Sequence, residues 1–441
     1  MSEKRTIHLR NLGCRLNQGE IDQMARQFSG NGHTVTAEPE TAGVIVINTC
    51  AVTGDAVRSS RQTIHQMHRA NADAHIVVTG CYAHIAPQDI QGLPGVSHVI
   101  DNLAKESLVS IVTGEPLSAP EVYDHEPLQR EAIIGAGGRT RAFLKVQDGC
   151  DRHCAFCVTR LARGAGRSKA VAAIVAEAQG LVAAGYRELV LTGVHLGSYG
   201  EDQGAGFALW ELLAALLSDT DAPRIRLSSL EPWGIPDGFF RLWENPRLCR
   251  HLHLPLQSGS DATLKRMIRR TSQREFRTIV EAAREAIPNV ALATDVIVGY
   301  PGETDAEFAT SHTFIEDMHF AAMHIFRYSP RPGTAAIKLP NHISDAVKKA
   351  RSETLQALAH REETAYARQF IGQPVTILWE AVSGASAEGY LNTGYTETFL
   401  RARWVGKSVL TNTITPAVIT AYEPETRLAQ ASPLAGYTHP L

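Results

Sequence analysis

A chain of 441 residues, 44% hydrophobic and 20% charged, has the composition of a soluble globular protein and is too long for one ordinary core, so two or three domains are expected. No apolar run approaches the roughly 18–20 residues that a bilayer span needs, and the N-terminus MSEKRTIHLRNLGC carries no apolar signal core, so no membrane association and a cytoplasmic location are expected. A net charge of −3 excludes a globally basic nucleic-acid binder but not local basic patches, and seven cysteines in a reducing compartment point to metal binding or catalysis rather than disulfides.

Residues 1–115 alternate strand-like and helix-like segments. TIHLRNLGC, VIVINTC and HIVVTGC are apolar, β-branched runs that each end at a cysteine: Cys14, Cys50 and Cys81. One helical segment begins near Glu20, and another runs from about Asp55 to Ala70. This pattern predicts an open parallel α/β sheet with covered faces. In such sheets ligands sit outside the carboxyl ends of the strands, so the three thiols occupy equivalent places and can converge. From about Thr113 to Arg139 the chain is rich in proline and glycine without periodicity, and residues 116–138 are expected to be a linker.

Over residues 139–370 the alternation resumes. The predicted strands are AFLKVQ, ELVLTG, RIRLSS, HLHLPL, ALATDVIVG and MHIFRYS, with helical patterns such as KAVAAIVAEAQGLVAAG and SQREFRTIVEAAREAI between them. Six βα units predict a partial parallel barrel, (β/α)6 rather than the usual eight. A charged helix from about Ser344 to Phe370 follows. Over residues 371–437, PVTILWEA, TFLRARWVG and VLTNTITPAVITAY read as short strands with glycine-rich turns and predict a small β-barrel.

The first strand of the central array leads into QDGCDRHCAFC, which puts Cys150, Cys154 and Cys157 at the catalytic end of the barrel. Three readings compete. Buried apolar cysteines do not normally crowd a loop beside Asp148, Asp151 and Arg152. Structural zinc needs a fourth ligand, from His153, Cys249, His251 or His253; His153 lies between two of the cysteines, where it cannot easily turn inward, and HLHL reads as a strand. A four-iron cluster with three thiolates leaves one iron open to another ligand.

CxxxCxxC with Phe156 before the last cysteine resembles the signature of radical S-adenosylmethionine enzymes. The resemblance implies an open iron that chelates the amino and carboxylate groups of S-adenosylmethionine, and a one-electron cleavage that yields a 5′-deoxyadenosyl radical. LGCRLNQGE, INTCAVT, VVTGCYA, CAFCVTRLARGAGRSK, LTGVHLGSYG, LPLQSGSDATLKRMIRR and DVIVGYPGET together resemble the methylthiotransferases. That wider resemblance implies two 4Fe-4S clusters, the second on Cys14, Cys50 and Cys81, and a terminal RNA-binding TRAM-like barrel. RLNQ after Cys14, and NTCAVT, look most like the branch that modifies threonylcarbamoyladenosine in tRNA; sibling branches act on isopentenyladenosine in tRNA or on an aspartate of a ribosomal protein. Lys169 stands where an arginine is common, which retains the cation.

The implied activity is radical conversion of an adenine C2–H to C–SCH3, using two molecules of S-adenosylmethionine, on a tRNA base next to the anticodon. It implies a reducing partner such as flavodoxin or ferredoxin and a sulfur donor that the residues do not identify. By position, Thr192, Gly193, Ser229, Glu231, Gln257 and Asp295 are the expected S-adenosylmethionine contacts, with Val298 and Gly299 beside the adenine. Arg163, Arg167, Arg269, Arg270, Arg401 and Arg403 are the expected RNA contacts, within basic stretches that also hold Arg160, Lys265, Arg266, Arg274, Arg277 and Lys407, with Trp404 as a stacking surface. Outside the class, a zinc-stabilised RNA-binding protein is the alternative. Cys249 is expected to be a bystander.

Overall fold

The computed structural model describes residues 4–117, 140–204 and 208–434. The expected linker lies outside these residues except for positions 116 and 117, and so do the last three positions of the expected terminal barrel. Among the described residues no helix is long and apolar enough to cross a membrane.

The N-terminal sheet holds β1 (Thr6–Asn11), β2 (Thr34–Thr36), β3 (Val44–Thr49), β4 (His75–Gly80) and β5 (Val96–Val99) in the order β2-β1-β3-β4-β5. All its pairings are parallel. Every residue of β3 is buried, as expected for a central strand covered on both faces. β2 and β5 add two strands to the three expected; TVT and VSHV are short and largely exposed, so neither carries a buried-strand pattern. Helix α1 (Arg15–Gly30) starts directly after Cys14, earlier than Glu20. Helix α2 (Gly54–Ala70) starts where expected, capped by Thr53, whose hydroxyl accepts from Ala56 N.

In the central region β6 (Arg141–Lys145), β9 (Glu188–Thr192) and β10 (Arg224–Leu227) form one parallel sheet, while β11 (His251–His253), β12 (Ala291–Val298) and β13 (Ala322–Arg327) form another. A two-residue ribbon, β7 (Gln147–Asp148) with β8 (Arg167–Ser168), lies between β6 and β9 in the chain. Isolated parallel bridges Ile225↔Leu248 and Ser229↔His253 join the two sheets into an open arc of six strands. The expected strand HLHLPL stops at His253, since Pro255 has no N–H for a ladder and Gln257 adopts φ +74. Leucine-rich strands and helices pack the core of this arc, Leu144, Leu191, Leu227 and Leu254 among them. The long helix over Asp345–Arg368, with Ser344 as its cap, packs against β13.

The C-terminal unit is a closed five-stranded barrel, β14 (Pro374–Ser386), β15 (Gly389–Thr396), β16 (Arg401–Gly406), β18 (Leu428–Pro433) and β17 (Ile414–Glu423), neighbours in that order. Two of these strands were not expected: GYLNTGYT and LAQASP are too rich in glycine and polar residues to read as strands. Two expected strands are shorter, because Phe399 (φ +66) and Asn412 (φ +62) turn the chain before β16 and β17 begin. The barrel docks on the central arc through Arg224, which donates to Thr376 O at 2.8 Å, and through Arg226, which donates to Glu397 O at 3.1 Å.

Candidate active site

The loop after β6 is pinned by the bond from Cys150 N to Gly164 O, 3.0 Å. Gly149 adopts φ +69, and a Cβ there would lie 1.8 Å from Ala165 O, so the loop closes only over glycine. Cys150, Cys154 and Cys157 are free thiols that line one cavity of about 1060 Å³. Each sulfur meets an N–H: Arg152 N to Cys150 Sγ at 3.4 Å, Thr159 N to Cys157 Sγ at 3.4 Å, and Arg269 Nη1 to Cys154 Sγ at 3.7 Å. Burial pushes Cys150 up to about 11 and raises Cys154, although Arg269 opposes the latter. Three thiols with N–H donors aimed at their sulfurs fit an iron–sulfur cluster, whose thiolates accept such bonds. Of the residues weighed for zinc, His153 is exposed and Cys249 is packed against Glu188, 3.7 Å from its Oε2, while His251 and His253 line the cavity.

Cys14, Cys50 and Cys81 follow β1, β3 and β4, which are adjacent in the sheet. Two glycines let their loops approach. A Cβ at Gly13 would lie 2.9 Å from Cys50 Cβ, and one at Gly80 would lie 2.3 Å from Thr49 O. All three thiols line the same cavity as the central trio. Desolvation of the thiol raises Cys14 and Cys50; Cys81 adds to both, and Cys14 adds to Cys50. Asn102 Nδ2 lies 4.0 Å from Cys81 Sγ. This donor set also fits a cluster.

Between the two trios lies a buried network of charges. Arg163, expected to contact RNA, is 1% exposed. Its guanidinium donates to Glu20 Oε1 at 2.9 Å, Asp148 Oδ1 at 2.9 Å and Asn17 Oδ1 at 2.6 Å, which leaves it no free face for a phosphate. Glu20 also accepts from Lys105 at 2.8 Å and Lys145 at 3.2 Å. Burial alone would raise the Glu20 carboxyl; Lys105, Arg163 and Lys145 outweigh it and hold the group well below the usual carboxylate range. Arg269 is the second correction. It is buried beside Cys154, donates to Glu231 Oε2 at 2.8 Å and Pro255 O at 2.6 Å, and lies 4.5 Å over the Trp233 ring.

The comparisons with known proteins bear on this arrangement directly. Residues 6–101 match the "Uncharacterized protein family UPF0004", and residues 144–315 match the "Radical SAM superfamily". The threonylcarbamoyladenosine tRNA methylthiotransferase MtaB of Thermotoga maritima is 35% identical over 422 residues, covering 92% of each chain. The protein of the same name from Bacillus subtilis is 35% identical over 409 residues, covering 91% of this chain and 90% of its own. The chain belongs to the methylthiotransferase family of radical S-adenosylmethionine enzymes. It is therefore an enzyme of sulfur-containing group transfer, with a 4Fe-4S cluster and S-adenosylmethionine as its family cofactors. Among solved structures, the radical S-adenosylmethionine methyltransferase TsrM from Kitasatospora setae, with cobalamin and a 4Fe-4S cluster bound, shares the fold. Its TM-score is 0.53 at 15% identity, covering 74% of this chain and 77% of that one.

In this methylthiotransferase the six residues expected to contact S-adenosylmethionine all line the cavity shared by the two cysteine trios. Thr192 is buried and its hydroxyl donates to Leu144 O at 3.2 Å. A Cβ at Gly193 would meet Gln147 Oε1 at 3.1 Å, the oxygen that accepts from Val194 N and His195 N. Glu231 pairs with Arg269. Ser229 Oγ bonds His253 Nδ1 at 2.8 Å, and His253 Nε2 lies 3.1 Å from Asp295 Oδ1. Val298 and Gly299 do not join the cavity wall; Gly299 N donates instead to Glu303 Oε2 at 2.7 Å.

The methylthiotransferase's remaining expected RNA cations are dispersed. Arg401 is exposed at the cavity edge, Arg270 is exposed outside it, and Arg167 is half exposed 3.7 Å from Asp148. Arg403 pairs with Glu423 at 2.6 Å, and Trp404 packs beside Trp379 against the barrel core. Sequence reasoning missed Arg15, Phe399 and His324, which also line the cavity. Only Arg15's place after Cys14, Phe399's in a barrel turn, and His324's on the predicted strand MHIFRYS could have drawn notice. Arg15 lies 5.3 Å over the Phe399 ring, its pKa lowered to about 10 by burial and by Arg141 and Arg226.

Proposed function

We propose that this enzyme converts threonylcarbamoyladenosine next to the anticodon of tRNA into its 2-methylthio derivative. One observation carries the reading: two trios of unpaired thiols, one from each matched domain, open onto a single cavity. The target C2–H bond has no acidic proton, so side-chain general bases cannot remove it and cofactor chemistry is required. In this reading Cys150, Cys154 and Cys157 hold one 4Fe-4S cluster and Cys14, Cys50 and Cys81 a second, which when bound supply one-electron chemistry and a sulfur site. Two S-adenosylmethionine molecules are consumed as substrates, one for the methyl group and one for radical generation.

The chain's own residues then do the positioning. Thr192, Gly193, Ser229, Glu231, Gln257 and Asp295 surround S-adenosylmethionine. Arg269 donates to a Cys154 thiolate and orients Glu231. Arg167, Arg270, Arg401 and Arg403 offer phosphate contacts, and residues 371–437 act as a TRAM-like RNA-binding barrel beside the units 1–115 and 139–370. Flavodoxin or ferredoxin as electron source, and the cytoplasm as location, belong to the same reading.

Nucleoside mass spectrometry of tRNA from cells with and without the gene tests it. The expected result is loss of methylthiolated threonylcarbamoyladenosine, restored by the wild-type gene and not by Cys150→Ala. Loss from the isopentenyladenosine pool instead would move the protein to a sibling substrate, and unchanged tRNA would overturn the tRNA reading.

A further inference from the structure

We propose that Arg15 is the substrate-specificity residue of this site, binding the carboxylate of the threonyl arm of the tRNA base. The inference rests on the substrate reading above. The other buried cations of the cavity wall are answered by carboxylates: Arg163 by Glu20 and Asp148, Arg269 by Glu231. Arg152, less buried, is answered by Glu201. Arg15 is not: among the described residues no ion pair or hydrogen bond engages its guanidinium. What faces it is the ring of Phe399 at 5.3 Å; the charges acting on it most strongly are the like charges of Arg141 and Arg226, which outweigh the more weakly felt Glu188 carboxylate. Those two are already matched, by Glu380 and by Glu188 at 2.7 Å, so one positive charge is left over.

Phe399 marks the same spot from the other side. It is held at φ +66, an uncommon conformation for a bulky side chain and one that marks local strain. Its ring stacks on Tyr395 with centroids 4.7 Å apart. Arg226 lies 4.7 Å from it, and Arg141 and Arg15 each 5.3 Å. An aromatic face attracts cations but carries no net charge, so the ring does not supply the counter-ion that Arg15 lacks. A largely desolvated cation without a counter-ion is costly, and a carboxylate that enters here recovers that cost through charge-assisted bonds.

The chemistry of the proposed substrate supplies such a group. The threonyl arm hangs from N6 and ends in a carboxylate, whereas an isopentenyl arm is apolar. N6 and the reacting C2 flank the same N1 edge of adenine, so a residue that grips the arm must lie beside the sulfur-bearing trio. Arg15 directly follows Cys14. A guanidinium fork binds a carboxylate through two bonds, and a site built around an anion rejects an analogue that leaves its cation unpaired.

The test measures binding of anticodon stem-loops to the reconstituted full-length enzyme. The loops carry threonylcarbamoyladenosine, its methyl ester or unmodified adenosine. Wild type is expected to bind the acid at least about tenfold more tightly than the ester, which keeps the shape and removes the charge. Arg15→Met should bind acid and ester alike, and Arg15→Lys should retain part of the preference. Equal binding of acid and ester by wild type overturns the proposal whatever the variants do, while leaving the substrate reading intact. If Arg15→Met weakens acid and ester equally, the residue holds RNA phosphate or the domain contact, which also overturns it. If wild type binds neither modified loop better than the unmodified one, the substrate reading fails and the inference fails with it.

Discussion

Arg163 and Glu20 form a buried ion pair, 2.9 Å from Nη1 to Oε1, that joins the helix after Cys14 to the short helix after Cys157. The pair therefore sets how the two cysteine trios face each other across the cavity. Arg163→Met leaves the buried Glu20 and Asp148 with only Lys105 and Lys145 as buried cation partners. The expected cost is roughly 3–5 kcal/mol, read as a clear fall in the melting temperature of the apo protein. Arg163→Lys should recover little, because one ammonium cannot reach Glu20, Asp148 and Asn17 together. A melting temperature within a degree or two of wild type would show the network to be dispensable.

Gly149→Ala should destroy the central cysteine loop selectively. A methyl group there meets Ala165 O at 1.8 Å, and the residue must also hold φ +69, so about 2 kcal/mol or more of local strain is expected. After anaerobic reconstitution the variant should lose the iron of the central trio while the N-terminal trio keeps its own. Full iron content in Gly149→Ala would refute this.

Much of this site was legible in the sequence, for a physical reason. Cysteines are rare, and their spacing in Cys150, Cys154 and Cys157 and their placement at the ends of β-branched runs are local features. Burial of a cation is not local. Arg163 and Arg269 read as parts of basic surface stretches because the carboxylates that bury them come from elsewhere; Glu20 lies 143 positions before Arg163 and Glu231 lies 38 before Arg269. The same holds for Arg15, whose aromatic neighbour is Phe399 in another domain. In the terminal barrel, closure supplied strands that composition did not announce: β15 pairs along both β14 and β16 despite its glycines.

Arg269→Met should lower the reduction potential of the central cluster. Arg269 brings a positive charge and an N–H to Cys154 Sγ, and both favour the more negative, reduced state. A redox titration followed by electron paramagnetic resonance, in a Cys14→Ala, Cys50→Ala, Cys81→Ala background, isolates that cluster. Arg269→Lys should lie between wild type and Arg269→Met. A midpoint that stays put or rises would mean that Arg269 serves only to hold Glu231 and Trp233.

Iron content separates two clusters from one. Reconstituted wild type should hold about eight irons per chain, and the triple alanine variant of Cys14, Cys50 and Cys81 about four. The remaining cluster should still support S-adenosylmethionine cleavage to 5′-deoxyadenosine, since the central trio and its loop are untouched. An unchanged iron count in the triple variant would remove the second cluster from the reading.

Glu188 gives the fold a defined acid limit. Its complete burial raises its pKa, but Arg226 at 2.7 Å, aided by Arg141 and Arg224, outweighs this and brings the folded value down to about 2 from the ordinary 4.5. A depressed carboxylate stabilises the fold fully above pH 4.5, and that contribution drains away as pH falls toward 2. At neutral pH it is on the order of 3 kcal/mol. Glu188→Gln should therefore be much less stable than wild type at pH 7, with the gap between their urea midpoints shrinking as pH drops from 4.5 toward 2. Arg226 also donates to Thr396 O and Glu397 O of the terminal barrel, so the lost pairing should loosen barrel docking as well, seen as faster amide exchange at β14 and β15. A gap that stays constant down to the acid limit would mean that Glu188 is not the group whose protonation destabilises the fold.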